Sequence, residues 1–259
     1  MLGSLDGVIA PVDELRIGVT DEGLVRGDGV FEVVRLYGAT PFALEDHYAR
    51  LERSAAISRL PVDLPALRAE VRALLEAGRA HDCALRLMCT RGGRRIVLLE
   101  AMPTYPESIA LAVVTYSPTR VLDGVKTLSY GANMLCGRLA REQGADEALL
   151  VTPHGRVLEA PTSSLFYVLD GRLLTPPLED HILDSITRRR ILSAVEVEEH
   201  PTTLDDLRAA DEAFLASTFK EVLPIRSVVG VADFAAAPGP VSERVREAFG
   251  RLLADELAA

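Results

Sequence analysis

The spacing of apolar residues changes several times along the chain, and each change marks an element. GVFEVVRLYG (29–38) mixes β-branched and aromatic residues and closes on Gly38, which predicts a strand. EDHYARLERSAAISRL (45–60) places Tyr48, Leu51, Ala55, Ile57 and Leu60 at helical spacing, and LPALRAEVRALLEAGRA (64–80) repeats that period, so both predict helices. ALRLMCTRG (84–92) and RIVLLEAMP (95–103) predict strands around a Gly-Gly turn, and IALAVVTYSP (109–118) predicts another. After a short connector comes GVKTLSY (124–130), then a predicted helix over ANMLCGRLAREQG (132–144). Residues 146–178 predict short strands with turns at His154-Gly155 and Asp170-Gly171. Helices are predicted over 184–195 and 204–214, strand over 214–230, a loop at AAAPGP (235–240) and a last amphipathic helix over 241–257.

This order predicts an α+β fold of two lobes: a small N-terminal α/β lobe (1–116), a linker (117–123) and a larger C-terminal lobe with mixed β structure (124–259). No internal repeat interrupts it.

Composition narrows the function classes. The 259 residues are 48% hydrophobic and 25% charged, an ordinary globular mixture. A formal net charge of -10 opposes binding to a phosphate backbone, so nucleic acid is not an expected partner. Cys83, Cys89 and Cys136 form no tight pair, which predicts neither a disulfide framework nor a zinc knuckle. The first residues carry early charges and lack the apolar core of a signal peptide. No uncharged apolar run approaches the roughly 18 residues of a membrane span. The expectation is a cytoplasmic protein with no membrane partner.

The candidate chemistry starts with lysine, which the chain uses rarely beside many arginines; Lys126 and Lys220 are the two in its second half. Lys126 lies in the otherwise uncharged GVKTLSYGANM. Burial would favour its neutral amine, which can attack an aldehyde and form an imine. On spacing alone, the commoner reading is a partly exposed loop lysine. Glu159, in RVLEAPTSSLF, is either a solvated strand-end glutamate or a carboxylate able to face a pyridine nitrogen; Ser163 and its neighbours add hydroxyls and N–H groups. Ile186 and Thr187 open a predicted helix, whose N-terminus suits phosphate, and LASTF (215–219) offers Thr218. Arg50, on the first helix, is able to give a charge-assisted bond. The five histidines lack metal-ligand spacing and read as surface or turn residues, so no metal is expected. Asp28 and Glu32 read as structural. Tyr130 reads equally as a core residue or as a group beside Lys126.

Together these blocks resemble the class IV aminotransferases. RGDGVFEVVRLYG, DHYARL, TRGG, VKTLSY, GADEALLVTPHGRVLEAPTSSLF, LLTPPL, ILDSITRRRIL, DEAFLAST and EVLPI occur in that family's order from about residue 5 to 255. The resemblance implies a two-lobed fold type IV enzyme that uses pyridoxal 5'-phosphate and works as a homodimer. It implies that Lys126 is the catalytic Schiff-base lysine and that Glu159 is partner to the pyridine nitrogen. It implies that Arg50, Ile186, Thr187 and Thr218 grip the phosphate, with Ser163 beside them. Phe31, Val33 and Arg35 fall on the strand that lines the family's substrate pocket.

The subfamily patterns diverge here. Branched-chain enzymes carry a glycine where this chain has Val33, and D-amino acid enzymes read much like GDGVYEVVKVYNG, against GDGVFEVVRLYGA here. The D-enzymes' Arg-x-His carboxylate trap keeps Arg91 but has Gly93 in the histidine place. Carboxylate binding would therefore fall to Arg26, Arg86 or Arg91, of which Arg86, a charge between apolar neighbours, is the strongest candidate. The resemblance implies a ping-pong transaminase acting on amino and keto acids, D-amino acids favoured. Aminodeoxychorismate lyase, branched-chain or (R)-amine transaminase, and a cofactor-free binding module are the alternatives.

Overall fold

A computed structural model describes residues 1–78 and 81–258. The chain folds as two units, one of Met1–Pro103 with Gly124–Tyr130 and the other of Thr104–Asp123 with Gly131–Ala259. The division differs from the expected one. Residues 104–116 belong to the second unit, and 124–130, Lys126 included, belong to the first.

The first unit is built on a sheet of β1 (Leu2–Leu5), β2 (Val8–Pro11), β3 (Gly29–Tyr37), β4 (Thr40–Pro41), β5 (Cys83–Thr90) and β6 (Arg95–Glu100), in the order β2-β1-β6-β5-β3-β4. A short helix, α1 (Glu22–Val25), is capped by Asp21, whose carboxylate accepts from the Gly23 N–H. Helices α2 (Leu44–Ile57) and α3 (Leu64–Gly78) pack on the sheet. Alternation sorts β3 into two faces: Val30, Glu32, Val34 and Leu36 on one, Phe31, Val33, Arg35 and Tyr37 on the other. Val30, Val34 and Leu36 are fully buried, as are Leu85, Leu87 and Val97 on neighbouring strands and Leu51, Leu67 and Leu74 on the helices. Ile57, expected on the buried stripe of α2, is half exposed instead. The last two residues of the predicted helix over 64–80 lie outside the described residues. β1 and β2 are too short to carry a periodic signal, and the sequence pattern does not predict them.

The second unit holds β7 (Ile109–Thr115), α4 (Gly131–Glu142), β8 (Glu147–Val151), β9 (Ser164–Leu169), β10 (Arg172–Thr175), α5 (Ile186–Ala194), β11 (Glu198–Glu199), α6 (Leu204–Ala209), β12 (Glu212–Ser217), β13 (Glu221–Val228), β14 (Ala232–Asp233) and α7 (Pro240–Ala258). Its sheet runs β11-β10-β9-β12-β13-β7-β8, with β14 beside β13. β7 and β8 are parallel, with α4 packed on both as the crossover. Leu111, Leu149, Leu165, Tyr167, Leu215 and Ile225 form the core of one sheet face. On the opposite face lie Ser164, Phe166, Phe214 and Ala216, and Glu212 there anchors the start of α7 through the Val241 and Ser242 N–H groups. α5 packs against α7 and β12.

The predicted helix over 204–214 is corrected here. A capping box of Thr203 and Asp206 starts α6 firmly, but the helix stops at Ala209. Glu212–Ser217 then forms a strand because β9 and β13 pair with it on both sides. No helix among the described residues is long and apolar enough to cross a membrane.

Candidate active site

In the first unit, Lys126 is fixed by its backbone. Its carbonyl accepts from the Phe31 N–H at 3.0 Å, the Leu128 N–H donates to the Gly29 carbonyl at 2.9 Å, and its own N–H donates to Ser54 Oγ at 3.1 Å. The segment therefore lies as a short rung beside the start of β3, with Val30 and Thr127 bridged. The two glycines of the RGDG block make this approach possible. A Cβ on Gly29 would sit 2.5 Å from the Cys89 carbonyl oxygen and 2.6 Å from Leu128, and one on Gly27, whose φ is +69°, would sit 2.9 Å from Ser129 Cα. Lys126 Nζ lies 4.3 Å from the Phe31 ring centroid and 5.9 Å from that of Tyr130, and the two rings meet edge to face at 5.4 Å. Tyr130 is thus a neighbour of the lysine.

Behind β3, on the helix side, Arg50 grips Glu32 through Nε at 2.6 Å and Nη2 at 2.7 Å, and His47 Nδ1 sits 2.7 Å from the same carboxylate. All three side chains are buried. Burial alone would raise the Glu32 pKa; the Arg50 charge and hydrogen bonds, helped by His47, overcome it and bring the pKa to about 2. Burial lowers the His47 pKa, with its bond to Glu32 opposing and the Arg50 and Lys126 charges adding to the fall. The expectation of a surface or turn histidine is corrected for His47. The signal was present: His47, Arg50, Leu51 and Ser54 form a stripe at helical spacing, and all are buried.

The candidate arginines have partners of their own. Arg26 pairs with Glu22 on the exposed face of α1. Arg91 is held by the Asp28 carboxylate and donates to the Ser58 and Arg59 carbonyls, so its guanidinium ties loops together. Arg86 lies opposite Val33 and on the same face as Phe31. Its Nε donates to Glu100 at 2.8 Å, its Nη nitrogens hydrogen-bond to nothing among the described residues, and its guanidinium carbon lies 5.9 Å from the Phe31 centroid. Lys126 and Arg86 thus both lie near the Phe31 ring. Arg35, also on this face, stacks 4.3 Å from the Tyr37 ring.

The second unit gathers the other predicted residues. The Glu159 carboxylate accepts from the Leu183 N–H at 3.1 Å, three residues before α5 begins. Burial pushes the nearby Tyr116 phenol up, with Cys136 and Glu159 adding to the rise. Ser185 caps α5 by accepting from the Arg188 N–H, and Ile186 and Thr187, both buried, form its first turn, where N–H groups have no acceptor within the helix. Thr218 sits in the turn between β12 and β13. The Ser163 Oγ accepts from Lys220 at 2.7 Å. Its neighbour Ser164, not singled out in the sequence, is fully buried with a hydroxyl that has no hydrogen-bond partner among the described residues.

Known proteins share this architecture over nearly the whole chain. The family model described as amino-transferase class IV matches residues 29–228. A putative branched-chain-amino-acid aminotransferase of Methanocaldococcus jannaschii is 32% identical, over 95% of this chain and 94% of its own. A D-alanine aminotransferase of Bacillus licheniformis is 30% identical, over 98% of this chain and 97% of its own. The crystal structure of a branched-chain aminotransferase from Thermoproteus uzoniensis, determined with norvaline, superposes with a TM-score of 0.88 at 30% identity, covering 99% of this chain and 95% of that one.

Proposed function

The chain belongs to the class IV aminotransferases, and from that footing we propose that it is a transaminase of α-amino acids with Lys126 as its catalytic base and D-amino acids as its favoured donors. The family uses pyridoxal phosphate, which when bound supplies an electron sink for the charge left as the substrate α-proton departs. The donor set of the second unit fits that group. Ile186 and Thr187 offer helix N-terminal N–H groups to a phosphate, Thr218 a hydroxyl, and Glu159 an acceptor for a protonated ring nitrogen, while the Ser164 hydroxyl is a buried polar atom lacking a partner among the described residues. Arg50, whose fork also holds Glu32, is assigned to the phosphate as its cationic donor. Lys126 would hold the cofactor through its amine and move the proton at the substrate Cα.

The observation that carries the substrate reading is the Phe31 ring, with Lys126 Nζ 4.3 Å and the Arg86 guanidinium carbon 5.9 Å from its centroid. A guanidinium next to a reactive amine suits a substrate carrying amine and carboxylate on one carbon. Val33, on the same face, fills the place of the branched-chain glycine and supports the D-amino acid reading. We assign the working form as a cytoplasmic homodimer. Met134, Leu135 and Leu139, exposed along α4, support a second copy, and three unpaired cysteines suit a reducing compartment.

The test is a set of half-reactions followed by the cofactor's absorbance, with D-alanine, D-glutamate, L-leucine, (R)-phenylethylamine and aminodeoxychorismate. Conversion by D-amino acids alone is the expected result. Conversion by L-leucine alone would replace the donor, and pyruvate release from aminodeoxychorismate without an acceptor would replace the reaction by the lyase. Borohydride trapping with peptide mapping tests the lysine, because the chain contains only Lys126 and Lys220. A label on Lys220 would overturn the assignment.

A further inference from the structure

The second lysine has no part in that chemistry. In a chain with 28 basic residues, lysine occurs twice, so its use at position 220 in place of arginine calls for a physical reason. Lys220 is buried, and its ammonium meets three acceptors: Glu147 Oε2 at 2.7 Å, Ser163 Oγ at 2.7 Å and Thr162 Oγ1 at 3.1 Å. Three acceptors match the three donors of an ammonium, whereas a guanidinium's planar fork would not converge on one point. Thr162 also donates to Glu147 Oε1 at 3.2 Å, closing the network, and the Tyr105 ring lies 5.4 Å from Nζ.

The network joins two turns to Glu147 at the start of β8. One is 160–163, closed by the Ala160 N–H donating to the Ser163 carbonyl at 2.9 Å, and it follows Glu159 directly. The other joins β12 to β13 and carries Thr218 between Ser217 and Lys220; there the Lys220 N–H donates to Ser217 Oγ at 3.3 Å. The turn ends on Glu221, a non-glycine residue with φ of +52°, a conformation that its surroundings must hold in place. Lys220 is thus the crosslink between the turn bearing Thr218 and the turn that begins after Glu159.

We propose that Lys220 is a positioning residue for pyridoxal phosphate, fixing the distance between the phosphate-holding turn at Thr218 and the carboxylate of Glu159. This rests on the assignment of Glu159 and Thr218 to the cofactor. A rigid ligand gripped at both ends binds tightly only when the two grips keep one separation. Lys220 supplies that constraint and touches no reacting atom.

The test uses Lys220→Met and the double variant Lys220→Met/Glu147→Gln, with two readouts: the dissociation constant for pyridoxal phosphate, by absorbance titration of the cofactor-stripped protein, and the melting temperature of that stripped protein. Lys220→Met should raise the dissociation constant about tenfold or more and lower the melting temperature, because Glu147 keeps a charge without its cation. In the double variant that charge is gone, so the melting temperature should recover while the cofactor affinity stays low. An unchanged dissociation constant in Lys220→Met, or affinity recovering in step with the melting temperature, overturns the proposal. Should the wild-type protein bind no pyridoxal phosphate at all, the functional reading itself fails, which is a different outcome.

Discussion

Two glutamate–cation pairs, one in each unit, are built differently. In the first unit Glu32 meets Arg50 through two parallel bonds with His47 at its flank, and all three are buried. In the second unit Glu147 meets Lys220, but its side chain keeps some exposure and two hydroxyls share the ammonium. The forked pair joins a strand to the helix behind it, 18 residues away. The ammonium pair joins three loop and strand ends scattered from residue 147 to 220. A planar fork locks two elements face to face, while a compact ammonium gathers several ends at one point.

The contrast makes its largest prediction for the glutamates. Glu32→Ala strands a buried guanidinium and should cost about 3–5 kcal/mol of unfolding free energy. Glu147→Ala, with hydroxyls left to solvate the lysine, should cost about 1–3 kcal/mol. Urea titration measures both, and equal losses would break the comparison.

Next in size is the seat of Lys126. Gly29→Ala drives a methyl into the Cys89 carbonyl and Leu128 and should cost about 1–3 kcal/mol together with most of the activity. Gly131→Ala meets nothing within 4 Å and should stay within about 0.5 kcal/mol of wild type. A harmless Gly29→Ala would show that the 126–130 segment does not depend on the close approach.

Acidification gives the third. Glu32 has a lowered pKa, so its contribution is present above 4.5 and is lost as pH falls toward about 2. His47 also has a lowered pKa, so it too contributes above its unfolded value of 6.5, and that share is lost as pH falls below it. Stability should therefore begin to decline near pH 6.5. His47→Gln should remove this early decline and leave the later one. A wild-type profile flat between about pH 7 and 4 would contradict the buried trio.

The smallest effect is local. Thr203→Ala removes the capping box of α6 and should cost about 1 kcal/mol in thermal melts, without moving cofactor affinity. A shift in affinity would mean that α6 communicates with the turns at Glu159 and Thr218.

Much of the frame is legible in the sequence because period and burial agree. β3 keeps its alternation from Gly29 to Tyr37, and α2 and α3 keep a helical stripe. Legibility fails where a neighbour decides the outcome. Glu212–Ser217 continues the apolar spacing of α6 and becomes a strand only because β9 and β13 are there to pair with it. Lys126, Glu159 and Arg50 stand out because each sits in a block with a distinctive order of residues. Lys220 shows no role in the sequence, because its partners are 57 to 73 residues earlier and no local pattern links them. His47 escapes a reading that judges histidine by residue type and not by its place on the stripe.

The seven residues Gly124–Tyr130 have a consequence for how the molecule is made. The chain leaves the first unit at Pro103, returns for this one segment, and departs again at Gly131. During synthesis the first unit therefore cannot be completed until β7 has already emerged. A fragment ending at residue 103 would lack Lys126 and the backbone groups that bond to Gly29 and Phe31. No single cut of the chain separates the units with each intact, so neither can be inherited, transplanted or expressed whole without part of the other.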